Sequence, residues 1–173
     1  PRTMATGGTV MQEPVFTREE RNHFLDLVAK LRRSLETDAR PKPHATLAQL
    51  TQYGCNSAIV SSECAGVLAT FTTEMVIRIV YLLEREADAD KAAGMALLLA
   101  LLGKFGPSRE DIGKLGGIKT LLLAMKRFST KVQMQAFGCY AIASLAQSDC
   151  NKEIVAYENG IQAILLSMKT HFG

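Results

Sequence analysis

Apolar residues in the C-terminal half of the chain recur at i, i+3, i+4 and i+7, and the same block appears twice. Gly117 is followed by Ile118, Leu121, Leu122 and Met125, and Gly160 by Ile161, Ile164, Leu165 and Met168. The two glycines stand 43 residues apart. This spacing places each quartet on one face of a helix, and self-similarity at a period in the low forties is the signature of stacked helical units. Between the copies, Lys131 to Gln147 carries a longer helical pattern rich in small residues, and a shorter one runs from Asn151 to Gly160. One unit therefore reads short helix, glycine, medium helix, long helix. An earlier unit fits the same template. Val76, Ile79, Val80 and Leu83 match the quartet of Ile118, Leu121, Leu122 and Met125, Lys91 to Leu102 matches Gln135 to Ala146, and Ser108 to Ile112 matches Asn151 to Val155.

The N-terminal part is less regular. Residues 1–15, rich in glycine, threonine and proline, are expected to form a flexible arm, and Met4 reads as a native start behind an added Pro1-Arg2-Thr3. Thr17 and Glu20 form a capping box. It opens a helix with Phe24, Leu27, Val28 and Leu31 on one face, which should stop before Pro41 and Pro43. A second helix is expected from Ala45 to Tyr53, with Leu47 and Leu50 inward. Asn56 to Val60 echoes Asn151 to Val155, which makes Gly66-Val67 the counterpart of Gly160-Ile161. Residues 67–86 then form either one long helix or two broken near Thr72 and Thr73. Residues 86–90 read as an acidic turn and Ala92 to Lys104 as a long helix. Ser108 reads as an N-cap, and Gly116-Gly117 as a sharp reversal through positive φ. The division is an arm at 1–15 and a helical repeat domain at 16–173, with an irregular unit at 16–73, repeats at 74–116 and 117–159, and a partial repeat at 160–173. The partial repeat lacks its long helix. Either a longer stack continues beyond it, or another chain covers the open edge.

The order Asn151-Lys-Glu-Ile-Val, Asn159-Gly-Ile-Gln-Ala-Ile-Leu, Val132-Gln-Met-Gln-Ala and Tyr140-Ala-Ile-Ala-Ser-Leu-Ala resembles the armadillo repeat over residues 74–173. HEAT repeats are the near alternative, but the extra short segment before the glycine favours armadillo. The resemblance implies an all-α, armadillo-like right-handed superhelix (α-solenoid) of about three to four units. It also implies a concave groove, lined by the long helices, that takes a peptide or helix of another protein. The residues it puts there are Gln133, Phe137, Tyr140, Ser144 and Gln147 on one long helix. On the earlier one it puts Ala89, Ala93, Ala96, Ala100 and Gly103. Importin-α-like members carry Trp and Asn where this chain has Tyr140 and Ser144, then Ala96 and Ala100, which argues against nuclear-signal recognition. The alanine floor suits a docked helix, either a partner's or the chain's own N-terminal segment.

Composition narrows the function. Apolar residues are 47% of the 173, aromatics only 6%, and tryptophan is absent, which suits aliphatic helix packing. The net charge of +3 is too small to imply nucleic acid. Cys55, Cys64, Cys139 and Cys150 have no metal-ligand spacing and read as reduced thiols of an intracellular, cytoplasmic protein. No membrane span or signal peptide is expected. His23, His44 and His171 lie outside the repeat body, and no catalytic constellation or phosphate loop is apparent. The chain therefore reads as non-enzymatic, without cofactor or metal. A basic run includes Lys114, Lys119, Lys126, Arg127 and Lys131. It reads as a solvated face, with docking to an acidic partner, anionic membrane or nucleic acid as the weaker possibility, since no aromatics interleave with it. The expected partner is another protein, with Phe137 and Tyr140 as anchors. A structural role in a larger cytoskeletal, ciliary or trafficking protein, through self-association at the C-terminal edge, is the alternative.

Overall fold

A computed structural model of the chain describes residues 17–36, 44–53, 62–105 and 108–172. The elements are α1 (Arg18–Glu36), α2 (His44–Leu50) with a 3-10 turn at Thr51–Tyr53, α3 (Ser62–Leu68), α4 (Thr73–Arg85), α5 (Ala89–Phe105), α6 (Arg109–Lys114), α7 (Gly117–Arg127), α8 (Val132–Leu145), α9 (Asp149–Tyr157) and α10 (Gly160–Phe172). Every regular element among the described residues is helical, and no helix there is long and apolar enough to cross a membrane. The expected arm, the Pro41–Pro43 stop and the Asn56–Val60 echo lie outside the described residues.

Local chemistry sets the helix starts. The Thr17 N–H donates to Glu20 Oε2 at 2.9 Å, and the Glu20 N–H donates to Thr17 Oγ1 at 3.1 Å. Two orphan donors of the first turn are thus satisfied reciprocally. α1 then buries Phe24, Leu27, Val28, Leu31 and Leu35. Over 67–86 the chain forms two helices. Thr72 is extended and its hydroxyl accepts from Met75 N at 3.4 Å, so α4 starts afresh after α3 has ended. Gly66 is not a turn glycine. It lies within α3, exposed, with open space around it, and Thr70–Thr72 make the break instead. Asp88 caps α5, its Oδ1 accepting from the N–H groups of Asp90 and Lys91 at 3.0 and 3.1 Å. Ser108 precedes α6 but makes no side-chain cap bond. Its carbonyl accepts from Ile112 N at 2.9 Å.

The turn before the medium helix repeats in space. Gly116 has φ 80° and Asn159, 43 positions on, has φ 59°. This is the left-handed region that glycine, and next to it asparagine, tolerates best. A Cβ on Gly117 would lie 2.6 Å from Ile112 Cγ2, and one on Gly160 2.7 Å from Val155 Cγ1. Both glycines thus let the incoming helix sit on the short helix before it.

The helices pack in series. α4 lies against α1 and α7, and α7 against α10; α5 lies between α2 and α8, and α6 lies against α9. The broadest interface joins α5 to α8. α5 is buried without interruption from Ala92 to Gly103, which accounts for its lack of any polar stripe. A Cβ on Gly94 would fall 2.2 Å from the Leu47 carbonyl oxygen, so the backbone of α2 rests directly on α5. Gly94→Ala is expected to destabilise the chain by about 1–3 kcal/mol, because backbone rather than a pliable side chain must move; a urea midpoint equal to wild type would refute that close approach.

The Asp88 carboxyl is held below the ordinary carboxylate range, chiefly by the Lys91 N–H and then by that of Asp90. A depressed folded pKa means the stabilisation is present above the unfolded pKa and lost as pH falls through the folded one. Asp88→Ala should lower the urea midpoint at neutral pH, and the gap from wild type should close in acid. A gap independent of pH would assign the loss to something other than the cap.

Candidate functional site

The long helix α8 brings only part of its expected stripe to the surface. Gln133 and Gln147 are exposed and Tyr140 is half-buried. Phe137 and Ser144 are buried, at 5% and 2% exposure, and Phe137 belongs to the core. The outward residues beside them are Ala136, half-buried, and Ala143, exposed. The true face is therefore Gln133, Ala136, Tyr140, Ala143 and Gln147, turned by one residue at two positions. Burying a phenyl ring is worth far more than burying a methyl, so Phe137 takes the inside and leaves Ala136 out.

On α5 the expected floor is closed. Ala93, Ala96 and Ala100 are each 0% exposed, with α2 on one side of the helix and α8 on the other. These three alanines offer nothing for a partner to touch. Their small size does admit a second backbone, and that backbone is the chain's own α2, with Leu47 against Gly94.

The open apolar surface lies on α8 and α10. Ile161, Leu165 and Met168 of α10 are 56%, 59% and 53% exposed, whereas the matching Ile118, Leu122 and Met125 of α7 are buried. On α8 and at its C-cap, Ala136, Cys139, Tyr140, Ala143 and Ala146 are exposed or half-buried, whereas their counterparts 44 positions earlier, Ala92, Met95, Ala96, Leu99 and Leu102, are fully buried. What shelters Ile118, Leu122 and Met125 of α7 is visible at Gly138 of α8. A Cβ there would come 2.5 Å from Met125 Cγ of α7. The repeat quartets pointed to α10, but nothing in the pattern showed that α8 would open through Ala136 and Ala143.

The basic run is not one patch. Lys119, Lys126 and Lys131 are exposed, and Lys114 pairs with Glu110 of its own helix at 3.5 Å. Arg127 is structural: its guanidinium donates to the carbonyls of Glu84 and Leu83 at 2.8 and 2.9 Å and lies 4.8 Å over the Phe128 ring. Arg109 does the same for α5, donating to Gly103 O at 2.5 Å. Such bonds satisfy the last carbonyls of a helix, which have no partner within it.

The other polar groups bind structure to structure. His171 Nε2 donates to Ser129 O at 2.8 Å, and His23 is hydrogen-bonded to Tyr53. Cys139 and Cys150 are free thiols, and burial pushes the Cys139 thiol up from its ordinary value. No group of three metal-ligating side chains occurs among the described residues. A groove of about 700 Å³ lies between α7 and α10, with Leu122, Leu123 and Leu166 among its walls.

Asn151 is wholly buried, and its amide donates to Arg109 O at 2.9 Å and Leu145 O at 3.0 Å. It thereby holds α9 to the start of α6 and the end of α8. Asn151→Ala should cost about 1–3 kcal/mol, since it strands buried acceptors; thermal unfolding measures this, and an unaltered Tm would refute the tie. Set against known proteins, the chain matches no family model, no curated protein and no solved structure.

Proposed function

We propose that this chain is an armadillo-like right-handed superhelix that acts without catalysis, by holding a helix of another protein across the open face of α8 and α10. The observation that carries the reading is the contrast between repeats. Ile161, Leu165 and Met168 are bare where Ile118, Leu122 and Met125 are buried. An apolar surface of this kind gives binding energy when covered, at about 25 cal/mol per Å² before the costs of association. The paired series α1, α4, α7, α10 and α2, α5, α8, with turns that recur at 43 residues, supports the superhelical reading. The alanines of α5 have no place in this docking role, being covered by α2. Tyr140 does, as the one aromatic on the outward side of α8.

A second reading has its own support. α8 presents small residues, Ala136, Ala143 and Ala146, and α10 presents large ones. Two copies related by a two-fold axis could set the large face of each on the small face of the other. Light scattering over a range of concentrations separates the readings, a stable dimer favouring self-association.

The partner reading is tested with a peptide of residues 131–147, because α8 is the helix that covers the matching face of α7. The peptide should bind the chain. Leu165→Asp should abolish binding, and Tyr140→Ala should weaken it by about 1–3 kcal/mol with unchanged helicity. Equal affinity for wild type and Leu165→Asp would sink the proposal.

A further inference from the structure

The junction between α4 and α7 is spanned by one long side chain. Arg127 crosses it, and its two donors reach Glu84 O at 2.8 Å and Leu83 O at 2.9 Å. The next junction, between α7 and α10, is tied elsewhere, by His171 to Ser129 O at 2.8 Å. The residue 43 positions after Arg127 is Thr170, whose hydroxyl donates back into its own helix, to Leu166 O at 2.8 Å. The groove of about 700 Å³ lies at this place, and Thr170, Leu122, Leu123, Leu166, Lys126 and Glu158 are on its walls.

The acceptors are still there. By the match of Leu83 to Met125, the carbonyls that correspond to Leu83 and Glu84 are those of Met125 and Lys126. Met125 O receives the Gln135 amide at 2.7 Å and has a second lone pair. Lys126 O receives no side chain among the described residues. The neighbouring Ser129 O is taken by His171.

We infer that the α7–α10 groove is a receptor site for one arginine side chain of a partner peptide. The guanidinium would take the place that Arg127 holds one repeat earlier. Its planar fork suits two adjacent carbonyls at a helix C-terminus, and its stem would lie on Leu123 and Leu166. Glu158 adds a carboxylate at the groove, while Lys119 and Lys126 are exposed amines there. Those two lysines select against a polybasic tract, so the guest is a lone arginine among apolar neighbours. The site uses a different side of α10 from Ile161, Leu165 and Met168, and does not depend on docking across α8.

The probe is a capped peptide of residues 121–128 carrying Lys126→Ala, whose arginine holds the earlier junction, with twins carrying citrulline or lysine in place of that arginine. Binding is read by calorimetry. The arginine peptide should bind about tenfold more tightly than either twin, the effect of one charge-assisted pair of bonds. Thr170→Arg should raise Tm and reduce peptide binding at least about tenfold, because the chain then plugs its own groove. Glu158→Lys, at the groove wall, should weaken binding in the same direction. Leu165→Asp should leave binding of this peptide unaltered. No binding, equal affinity for the three peptides, or undiminished binding to a folded Thr170→Arg chain would each overturn the site.

Discussion

The contact of α5 with the helices on either side of it is the constraint on which the rest of the molecule depends. A helix buried over twelve consecutive positions, Ala92 to Gly103, has no solvent side, so its neighbours must approach closely from more than one direction. Small residues make that possible. Gly94 admits the α2 backbone at Leu47, and Gly103 admits Leu145 of α8, where a Cβ would come within 2.8 Å of the leucine side chain. Dense packing of this sort gains dispersion contacts on every side. It also closes to any outside partner the helix that otherwise looks most like a binding floor.

Around this core, side chains tie the ends of α1, α4 and α7 to neighbouring helices. Arg78 donates to Leu35 O and Arg127 to Leu83 and Glu84, and Gln135 bridges Met125 O and Phe128 O. His171 reaches Ser129 O. All of these acceptors lie in the last turn of a helix or just beyond it, where the backbone has no internal donor. The apolar quartets bring successive helices together, and these bonds set how far along one another they lie. Between α7 and α10 the tie is His171, and a groove lies beside it.

Much of this was readable from residue spacing. The quartets after Gly117 and Gly160, the capping box at Thr17 and the reversal at Gly116 are local events, and local rules reach them. Burial on α8 was not. Phe137 and Ala136 are consecutive, and helical spacing alone does not say which of them faces inward, although the larger ring gains more from burial. Ala93, Ala96 and Ala100 failed for the converse reason: a run of small residues says that something comes close, but not what. Gly66 was misplaced because a glycine followed by an apolar residue is a weak sign where the unit is irregular, and the hydroxyl of Thr72 marked the true break. Arg127 was grouped with exposed lysines because charge counts cannot see a carbonyl 43 residues away.

The ties between successive helices have a dynamic side. Those of Arg78, Arg127 and His171 reach back about one repeat, 42 to 44 residues, while α5 is gripped by α2 and α8. A local opening of α10 would release His171 from Ser129 and leave the closed centre around α5 intact. A guest that settles on the exposed apolar side chains of α10 would lend the rest of the chain some of its rigidity.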